Sequence, residues 1–215
     1  HLVTIKPVLF GGLAARLAGV PAVVAAISGL GFVFVAKGVK ATIRRWLVGT
    51  LYGLALGHHN LRVIFQNPDD LACVARFAHL SEQKATIIRG SGADLTQYRV
   101  MPFPTGVPVV VLAARLLVAK GIREFVQSAQ ILRQRGLSAQ DARFVIVGKP
   151  DPANPASLRP DELAQWAEEG VVEFWGHRTD MPQVMEAAHV TVLPSYYGEG
   201  LPKVLIEAAA CGRAV

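Results

Sequence analysis

The chain has 215 residues, of which 52% are hydrophobic and 18% are charged. This balance predicts a folded protein with a large core and excludes an intrinsically disordered chain. The net charge is +6, and it is unevenly distributed. Residues 1–107 hold 11 Lys and Arg against 4 Asp and Glu, a balance of +7, whereas residues 108–215 hold 11 against 12, a balance of −1.

The basic first half indicates an anionic partner. Anionic lipid headgroups, pyrophosphates and nucleic acid all carry the charge that such a surface attracts. Nucleic acid is the weaker interpretation, because no recognition motif accompanies the charge, and we expect no nucleic-acid partner. Cys73 and Cys211 have neither disulfide nor metal-ligand spacing, which is typical of proteins in a reducing compartment.

Apolar runs alternate with longer helical patterns along the whole chain, which indicates βαβ units and a mainly parallel sheet. In the first half we predict strands at 2–5, 22–27, 62–66 and 85–88, and helices at 7–18, 36–56 and 68–77. Residues 17–36 contain no charged residue and are long enough to span a bilayer. Glycine and proline interrupt this stretch, so we interpret residues 23–27 as a buried strand and expect no transmembrane helix.

Three prolines between residues 101 and 108 predict an interdomain linker, which we place at 104–108. The chain then divides into a first domain at 1–103 and a second domain at 109–215. For the second domain we predict strands at 109–113, 143–147, 171–174 and 190–193, and helices at 122–135, 161–169, 181–187 and 203–210. Because the chain begins without Met and ends inside a predicted strand, we expect both domains to be truncated.

The segment SYYGEGLPKVLIEAAAC at 195–211 is the most informative part of the sequence. It follows a predicted buried strand, and Pro202 suits the first turn of a helix. Glu199 then lies in the strand-to-helix loop, and Glu207 lies about one and a half turns into the helix. In an open α/β sheet this loop lies where ligands bind, and the free N–H groups of the helix start suit a phosphate or a sugar hydroxyl. The alternative is a surface acid followed by an unrelated helix acid.

This segment resembles the donor-site motif of the retaining family-4 glycosyltransferases, which have the GT-B fold of two Rossmann-like domains facing across a cleft. Similarity to the subgroup that builds lipid-linked bacterial surface glycans extends over residues 1–12, 28–32, 65–70, 90–94 and 114–121. The resemblance implies that Glu199 lies beside the donor sugar and that Glu207 binds the ribose hydroxyls. It also assigns Gly200 and Leu201 to donor binding. One departure is that many members have Arg directly before the first Glu, where this chain has Tyr-Gly.

Two cations flank the loop after the first strand of the second domain. These are Arg115 and Lys120, and Gly121 leads from them into the next helix. Two cations at the carboxyl end of a strand, beside a helix N-terminus, make an anion site. The resemblance implies that they grip the donor diphosphate and stabilise the leaving group, whereas the alternative is a solvated pair. The chain has no Asp-x-Asp motif and no Cys/His cluster, so we expect catalysis without a metal ion or cofactor.

Two further loops of the second domain follow predicted strands. The resemblance implies that Gly148 binds the donor and that His177 and Arg178 bound the uracil pocket. For the His-Arg pair, a plain surface loop is the alternative. We expect the remaining histidines to be structural, because none has ligand spacing.

Two glycine-containing turns of the first domain are assigned by the resemblance to the acceptor side of the cleft. One contains Gly29 and Gly31, and the other contains Gly92 and Asp94. The first turn lacks the third glycine and the downstream acid of a dinucleotide fingerprint, which excludes a nicotinamide site. A plain turn is the alternative for the first, and a helix cap or turn residue is the alternative for Asp94.

The predicted helix at 36–56 is basic and amphipathic. Its cations fall on one side and its aliphatic residues on the other; the cations are Lys37, Lys40, Arg44 and Arg45, and the aliphatic residues are Ile43, Leu47, Leu51 and Leu54. A basic amphipathic helix can lie on an anionic membrane. The alternative is an ordinary core helix with a solvated basic face.

Together with the resemblance, these features predict a retaining glycosyltransferase of the hexosyltransferase type. It would move a sugar from a nucleotide diphosphate donor, UDP-linked in our expectation, to a lipid-diphosphate-linked glycan in surface polysaccharide synthesis. We expect it in the bacterial cytoplasm, attached peripherally to the inner face of the plasma membrane. Two alternatives stay open: a GT-B sugar-nucleotide epimerase, which needs no acceptor, and a sugar-nucleotide-binding module without turnover.

Overall fold

The structure is a computed structural model, and it describes residues 1–30, 39–90, 92–196 and 199–215. Within the helix at 39–55, the side chains of residues 39–42, 44 and 45 are not among those described. The chain forms two compact units: unit 1 is His1–Ser91 with Tyr197–Pro202, and unit 2 is Gly92–Tyr196 with Lys203–Val215. Of the residues singled out in the sequence, Gly31, Lys37 and the Tyr-Gly pair at 197–198 lie outside the described ranges.

Unit 1 is built on four parallel strands that follow one another in chain order: β1 (Leu2–Val3), β2 (Val23–Ile27), β3 (Leu61–Phe65) and β4 (Ala85–Ile87). Val63 of β3 lies opposite Ala25 of β2 on one side and Ala85 of β4 on the other. Every second side chain of β2 and β3 is buried, as the period of a strand requires. The first strand is shorter than predicted because Thr4 turns the chain with a positive φ of 70°.

The helices of unit 1 connect these strands. A π-helical turn at Pro7–Gly11 runs into α1 (Gly12–Leu17), and it is followed by α2 (Val39–Ala55), α3 (Pro68–Ala78) and a 3₁₀ turn at Glu82–Lys84. Asn67 fixes the start of α3, because its Oδ1 accepts a hydrogen bond from Asp70 N at 2.7 Å. Pro68 occupies the first turn, where no N–H is needed.

Helix α2 packs into the core through Tyr52 and Ala55, and Leu56, directly after the helix, is buried in the same core. Four aliphatic residues that the sequence analysis placed on one side of this helix are exposed: Ile43, Leu47, Leu51 and Leu54. These four residues therefore do not form the core side of the helix. The helix has two apolar sides, and the core takes the one that contains the Tyr52 ring.

Unit 2 is built on a second parallel sheet with the strand order β7 (Glu173–Gly176), β6 (Arg143–Val147), β5 (Val109–Ala113) and β8 (Val190–Thr191). Ala214 adds one parallel bridge beside Val190. The helices of this unit are α4 (Ile122–Gln134), α5 (Pro160–Glu168), α6 (Met181–Ala187) and α7 (Lys203–Ala210), and a 3₁₀ turn at Val118–Lys120 precedes α4.

These helices cover both faces of the sheet. Ile146 of β6 packs with Phe125 of α4 on one face. The preceding residue, Val145, packs on the other face with Val184 of α6 and Val204 of α7. The central strands are consequently buried on both sides, as is usual for parallel sheets. Since all strands run in the same direction, their carboxyl ends meet at one edge of the sheet.

Residues 92–103, which the sequence analysis assigned to the first domain, pack with unit 2. Tyr98 is buried in an apolar cluster with residues of α6 and α7. Near the end of the chain, Arg213 donates a hydrogen bond to Pro102 O at 3.1 Å and lies over the Phe103 ring at 5.3 Å. These contacts join residues far apart in the sequence, so proline content alone does not locate the division of the chain.

The predicted class, a parallel α/β protein, is confirmed in both units. The strands predicted at 109–113 and 143–147, and the helices predicted at 181–187 and 203–210, have the predicted bounds. The strand predicted at 171–174 lies two residues later, because its pairing with β6 begins at Glu173. Register with the neighbouring strand decides this position, not the apolar run. Over the described ranges, no helix has the length and hydropathy needed to span a bilayer.

Candidate functional site

A cavity of about 470 Å³ opens in unit 2 where three strands end. It is lined by residues 113–115 after β5, 147–149 after β6 and 177–178 after β7, together with Val204 and Glu207 of α7. The chain passes from β5 to β6 and β7, and then returns to β8 on the other side of β5. Ligands of open α/β sheets bind at the carboxyl ends of the strands, where the strand order reverses in this way. The cavity is therefore the candidate ligand site of unit 2.

Gly148 shapes the floor of this cavity. Its φ is 152°, and a Cβ at this position would overlap the carbonyl oxygen of Ala114. Its N–H donates a hydrogen bond to Gly176 O at 2.8 Å, so this amide is engaged by the end of β7. The absence of a side chain lets the ends of β5 and β6 approach closely. The donor-binding role assigned to Gly148 stays a prediction.

Arg115 and Lys149 bring two cations to the cavity wall, one after β5 and one after β6. Arg115 Nη1 lies 3.4 Å from Asp151 Oδ2, and the Arg115 side chain is 65% exposed. An exposed ion pair of this length is weak, so the guanidinium can turn towards an incoming anion. The sequence analysis missed Lys149, although it carries the signal that singled out Arg115: a cation just beyond the end of a buried strand.

Lys120 ends the 3₁₀ turn before α4. Among the described residues, it is not one of those that line the cavity. The next residue, Gly121, has a φ of 74°, and a Cβ there would overlap the carbonyl oxygen of Pro194. Ala119 O accepts a hydrogen bond from Ser195 Oγ at 3.1 Å. The turn thus holds the chain that follows β8, and a contact between Lys120 and a diphosphate stays a prediction.

His177 and Arg178, which the resemblance assigned to the uracil pocket, both line the cavity. Arg178 Nε donates a hydrogen bond to Asp180 Oδ1 at 2.7 Å, and Nη2 donates to the second carboxylate oxygen. These hydrogen bonds hold the pKa of Asp180 at about 2. Since Asp180 balances its charge, Arg178 forms part of the wall as an ion pair. Contact of either residue with a nucleotide base stays a prediction.

Glu207 brings a carboxylate to the cavity, and it is only 7% exposed. Lys203, one helical turn earlier in α7, places Nζ 3.3 Å from Glu207 Oε1. The Tyr98 hydroxyl forms a hydrogen bond with Glu207, and burial together with this neighbour raises the pKa of Tyr98 to about 12. Burying a carboxylate is costly unless it is paired in this way. Sequence reasoning missed Tyr98, because the contact joins distant residues without a local pattern.

Glu199, Gly200 and Leu201 belong to unit 1. Asn67 Nδ2 donates a hydrogen bond to Glu199 O at 3.3 Å, and Leu201 N donates to Gln66 Oε1 at 3.2 Å. The two amide side chains at the end of β3 therefore hold this loop by its backbone. The roles of Glu199 beside the donor sugar, and of Gly200 and Leu201 in donor binding, stay predictions.

The residues assigned to the acceptor side of the cleft lie in turns. Gly29 follows β2 with a φ of 119°, and Gly92 has a φ of 73°. The Asp94 carboxylate accepts hydrogen bonds from Thr96 N at 2.9 Å and from Thr96 Oγ1 at 2.7 Å. The pKa of Asp94 is lowered, first by the Thr96 hydroxyl and then by the backbone N–H. Asp94 is therefore a turn residue in the structure, and its assignment to the acceptor side, like that of Gly29 and Gly92, stays a prediction.

Comparison with protein families matches residues 107–215, which include every residue lining the cavity, to the family described as Glycosyl transferases group 1. The chain is 33% identical to the N,N'-diacetylbacillosaminyl-diphospho-undecaprenol alpha-1,3-N-acetylgalactosaminyltransferase of Campylobacter jejuni, over 96% of this chain and 54% of that protein. It is 25% identical to the UDP-Gal:alpha-D-GlcNAc-diphosphoundecaprenol alpha-1,3-galactosyltransferase of Escherichia coli, over 99% of this chain and 55% of that protein. The chain thus spans about half the length of these curated relatives.

Among solved structures, Anabaena HepE in complex with UDP matches the chain with a TM-score of 0.73. The match covers 99% of this chain and 58% of that chain at 19% identity. At this identity the likeness shows the fold alone, and it confirms the predicted GT-B class. The family match adds the sequence evidence, because it includes the cavity and covers the second half of the chain. The chain therefore belongs to the group 1 glycosyl transferases.

Proposed function

We propose that the protein is a retaining glycosyltransferase that moves a sugar from a UDP-linked donor to a hydroxyl of a lipid-diphosphate-linked glycan. The observation that carries the proposal is that Arg115, Lys149 and Glu207 line one cavity of about 470 Å³. A nucleoside diphosphate sugar presents two anionic phosphates and a ribose diol, so it requires cations and a hydrogen-bond acceptor in the same space. The volume falls within the range of pockets that bind small ligands.

Each group has a separate task in this proposal. Arg115 and Lys149 attract the diphosphate and neutralise the negative charge that develops on it as the sugar–phosphate bond breaks. The acceptor oxygen forms the new bond to the anomeric carbon, and its proton is taken up by the departing UDP. Glu199, held by its backbone at the end of β3, orients the sugar hydroxyls. Catalysis then depends chiefly on positioning and on charge neutralisation.

Glu207 is suited to hold the ribose. Its carboxylate is fixed by Lys203 and Tyr98 and lies in the wall of the cavity. An ionised carboxylate accepts two hydrogen bonds from a diol, and such charge-assisted bonds are stronger than neutral ones. We assign binding of the ribose hydroxyls to this residue and binding of the base to the loop that contains His177.

We further propose that transfer needs no bound divalent cation. Arg115 and Lys149 line the cavity, and in this proposal they supply the positive charge that a departing diphosphate requires. We place the reaction on the cytoplasmic face of the bacterial plasma membrane, with the protein attached peripherally.

The names of the two curated relatives support the class of acceptor. The E. coli relative is named for a UDP-Gal donor and an acceptor linked to diphosphoundecaprenol, and the C. jejuni relative for a sugar acceptor linked to diphospho-undecaprenol. Both acceptors combine a long lipid with a diphosphate. A basic first half of the chain is consistent with such an acceptor, because it attracts pyrophosphates and anionic headgroups alike.

The proposal is tested by incubating the intact protein with radiolabelled UDP-sugars, with and without an undecaprenyl-diphosphate-linked sugar. We expect label in the lipid fraction only when the acceptor is present, and an unchanged anomeric configuration in the NMR spectrum of the product. Release of free sugar and UDP without acceptor would instead identify an epimerase-type enzyme. Binding of UDP-sugar without turnover under either condition would identify a binding module.

A further inference from the structure

The loop at 199–201 is held at the carboxyl end of the sheet of unit 1 through its backbone. Asn67 Nδ2 donates a hydrogen bond to Glu199 O at 3.3 Å, and Leu201 N donates one to Gln66 Oε1 at 3.2 Å. Both amide side chains come directly after β3, which ends at Phe65. Neither of these hydrogen bonds involves the Glu199 side chain, so both act on the backbone that carries it.

The hydrogen-bond partners determine which end of each amide faces the loop. Asp70 N–H can only donate, so Asn67 Oδ1 must face it. Leu201 N–H can only donate as well, so Gln66 Oε1 must face it. Asn67 Nδ2 is then directed towards two acceptors, Asp70 Oδ2 at 2.9 Å and Glu199 O at 3.3 Å. The two adjacent amides thus have opposite tasks, because Asn67 donates to the loop and Gln66 accepts from it.

Asp70 fixes the orientation of the Asn67 amide. Asp70 is only 7% exposed, and burial raises the pKa of its carboxyl while the hydrogen bond from Asn67 lowers it. The Asn67 side chain is bound at both ends by this one residue, at Oδ1 by the backbone N–H and at Nδ2 by the carboxylate. A side chain fixed at two points has little conformational freedom left to lose when it binds Glu199 O.

Gly200 allows the loop to lie this close to the strand ends. A Cβ on Gly200 would overlap Gln66 Oε1 and would lie 3.1 Å from Ser28 O, directly after β2. The next residue, Leu201, lies against the turn after β4, since a Cβ on Gly90 would be 2.8 Å from Leu201 Cδ2. The loop therefore lies across the ends of three neighbouring strands, and a side chain at position 200 would displace the Gln66 amide.

The contacts to the loop are separable from those that build the fold. Asn67 caps α3 through Oδ1, and Asp is as good a cap as Asn. An ionised Asp at position 67 would keep the cap but could not donate to Glu199 O. At Gln66 the same change from amide to carboxylate would keep the acceptor that Leu201 N uses. One kind of substitution at two adjacent positions therefore has opposite consequences for the loop.

We propose that Gln66 and Asn67 are positioning residues for sugar transfer, because they fix the backbone of residues 199–201 and so limit the directions available to the Glu199 carboxylate. The inference deepens the proposed function, on which it rests for the role of Glu199. Amide exchange of the loop is measured without donor or acceptor, so a failure of the positioning inference is distinguishable from a failure of the proposed activity.

The test combines kcat of sugar transfer, UDP affinity and amide hydrogen exchange of residues 199–201 in the intact protein. We expect Asn67→Asp and Gln66→Met to lower kcat by about tenfold to a hundredfold and to speed exchange of the loop. UDP affinity should not change, because the residues that line the cavity belong to unit 2. Gln66→Glu should keep the wild-type exchange rate and a kcat within about threefold of the wild type. Asn67→Ser, which caps the helix without a charge and lacks the amide, should behave as Asn67→Asp does.

The matched control is Asn60→Asp. Asn60 precedes the opposite end of β3, and its Nδ2 donates to another backbone carbonyl, Pro21 O, at 3.1 Å. This variant loses the same kind of hydrogen bond, and we expect it to keep the wild-type kcat. Wild-type kcat in both Asn67→Asp and Gln66→Met would overturn the proposal, and so would equal losses in Gln66→Glu and Gln66→Met. Unprotected exchange of the Leu201 amide in the wild type would overturn it whatever the outcome of sugar transfer.

Discussion

At the scale of single residues, Tyr98 and Glu207 form a polar contact at the edge of an apolar cluster. The Tyr98 ring packs with Met185, Ala208 and Cys211, so the direction of its hydroxyl is set by the core of unit 2. That hydroxyl binds the carboxylate that lines the cavity. A carboxylate held in this way keeps its remaining lone pairs in a fixed direction. It therefore loses little orientational freedom when it binds a ligand diol, and this lowers the free-energy cost of binding.

Removing this hydroxyl should weaken nucleotide binding without disturbing the fold. We predict that Tyr98→Phe lowers the affinity for UDP by about threefold to tenfold, which corresponds to the loss of one hydrogen bond. The measurement is isothermal titration calorimetry. The matched control is Tyr52→Phe, which removes the hydroxyl of a buried tyrosine in unit 1 whose pKa is also raised to about 12 by burial. If both variants bind UDP as the wild type does, Tyr98 does not position Glu207 for a ligand.

The sequence identified some of the cavity residues and missed others for a physical reason. Arg115 was found because the loops after parallel strands gather at one edge of the sheet, wherever the helices lie. His177 and Arg178 were assigned through the family resemblance. Glu207 was found from its place in a motif. Tyr98 was missed because its role depends on how residues 92–103 pack against α6 and α7, which no local pattern encodes.

At the scale of secondary-structure elements, the ends of β5 and β6 meet at Gly148. A Cβ there would overlap the carbonyl oxygen of Ala114, a backbone atom of the neighbouring strand end that cannot move independently of its strand. The backbone angle adds a second restriction, because a φ of 152° is rare for residues with a side chain. The cavity floor therefore exists only if this position is glycine.

We predict that Gly148→Ala lowers the free energy of unfolding of unit 2 by about 3 kcal/mol or more, since it combines backbone strain with a clash. Urea unfolding monitored by tryptophan fluorescence measures the change. Gly136→Ala is the control: Gly136 has a φ of 97°, and no described atom lies within 4 Å of its added Cβ. That variant carries strain alone and should cost about 1 kcal/mol. Equal losses in the two variants would show that the strand ends do not approach as closely as described.

Helix α2 illustrates what a sequence pattern leaves undecided at this scale. The sequence contains two apolar rows, and either could have faced the sheet. One consists of Ile43, Leu47, Leu51 and Leu54, and the other of Tyr52, Ala55 and Leu56. The large ring of Tyr52 and the small Ala55, which allows close contact with Gly12, fit the layer between α1 and the sheet. Packing of side chains in three dimensions, which periodicity does not contain, selects the buried row.

At the scale of the whole molecule, alternating strands and helices were sufficient to predict a parallel α/β protein, and the family resemblance supplied the GT-B class. The parallel sheets and most element bounds follow from that alternation and from the prolines and glycines that end each element. The division of the chain did not follow in the same way. Arg213 and His189 contact residues 102–104 and hold them against unit 2, and a proline-rich stretch does not reveal such long-range contacts.

The charge of the cavity predicts how the whole reaction responds to metal removal. We predict that EDTA leaves sugar transfer by the intact protein largely unchanged, while Arg115→Ala and Lys149→Ala each lower kcat on the order of a hundredfold. Arg135→Ala is the control, because Arg135 caps the C-terminal end of α4, away from the carboxyl ends of the strands. Activity that is abolished by EDTA and restored only by Mg²⁺ or Mn²⁺ would count against side-chain cations as the stabilisers of the departing diphosphate.

The central claim is that the cavity of unit 2 binds a uridine diphosphate through its ribose and its phosphates. Titration calorimetry of UDP and 2′-deoxy-UDP against the wild type and Glu207→Ala, with EDTA present, tests it most directly. We predict that the wild type prefers UDP, and that Glu207→Ala loses this preference together with roughly tenfold to a hundredfold in UDP affinity, as expected for a charge-assisted hydrogen bond. A Glu207→Ala variant that keeps both the wild-type affinity and the preference for the 2′-hydroxyl would contradict the account.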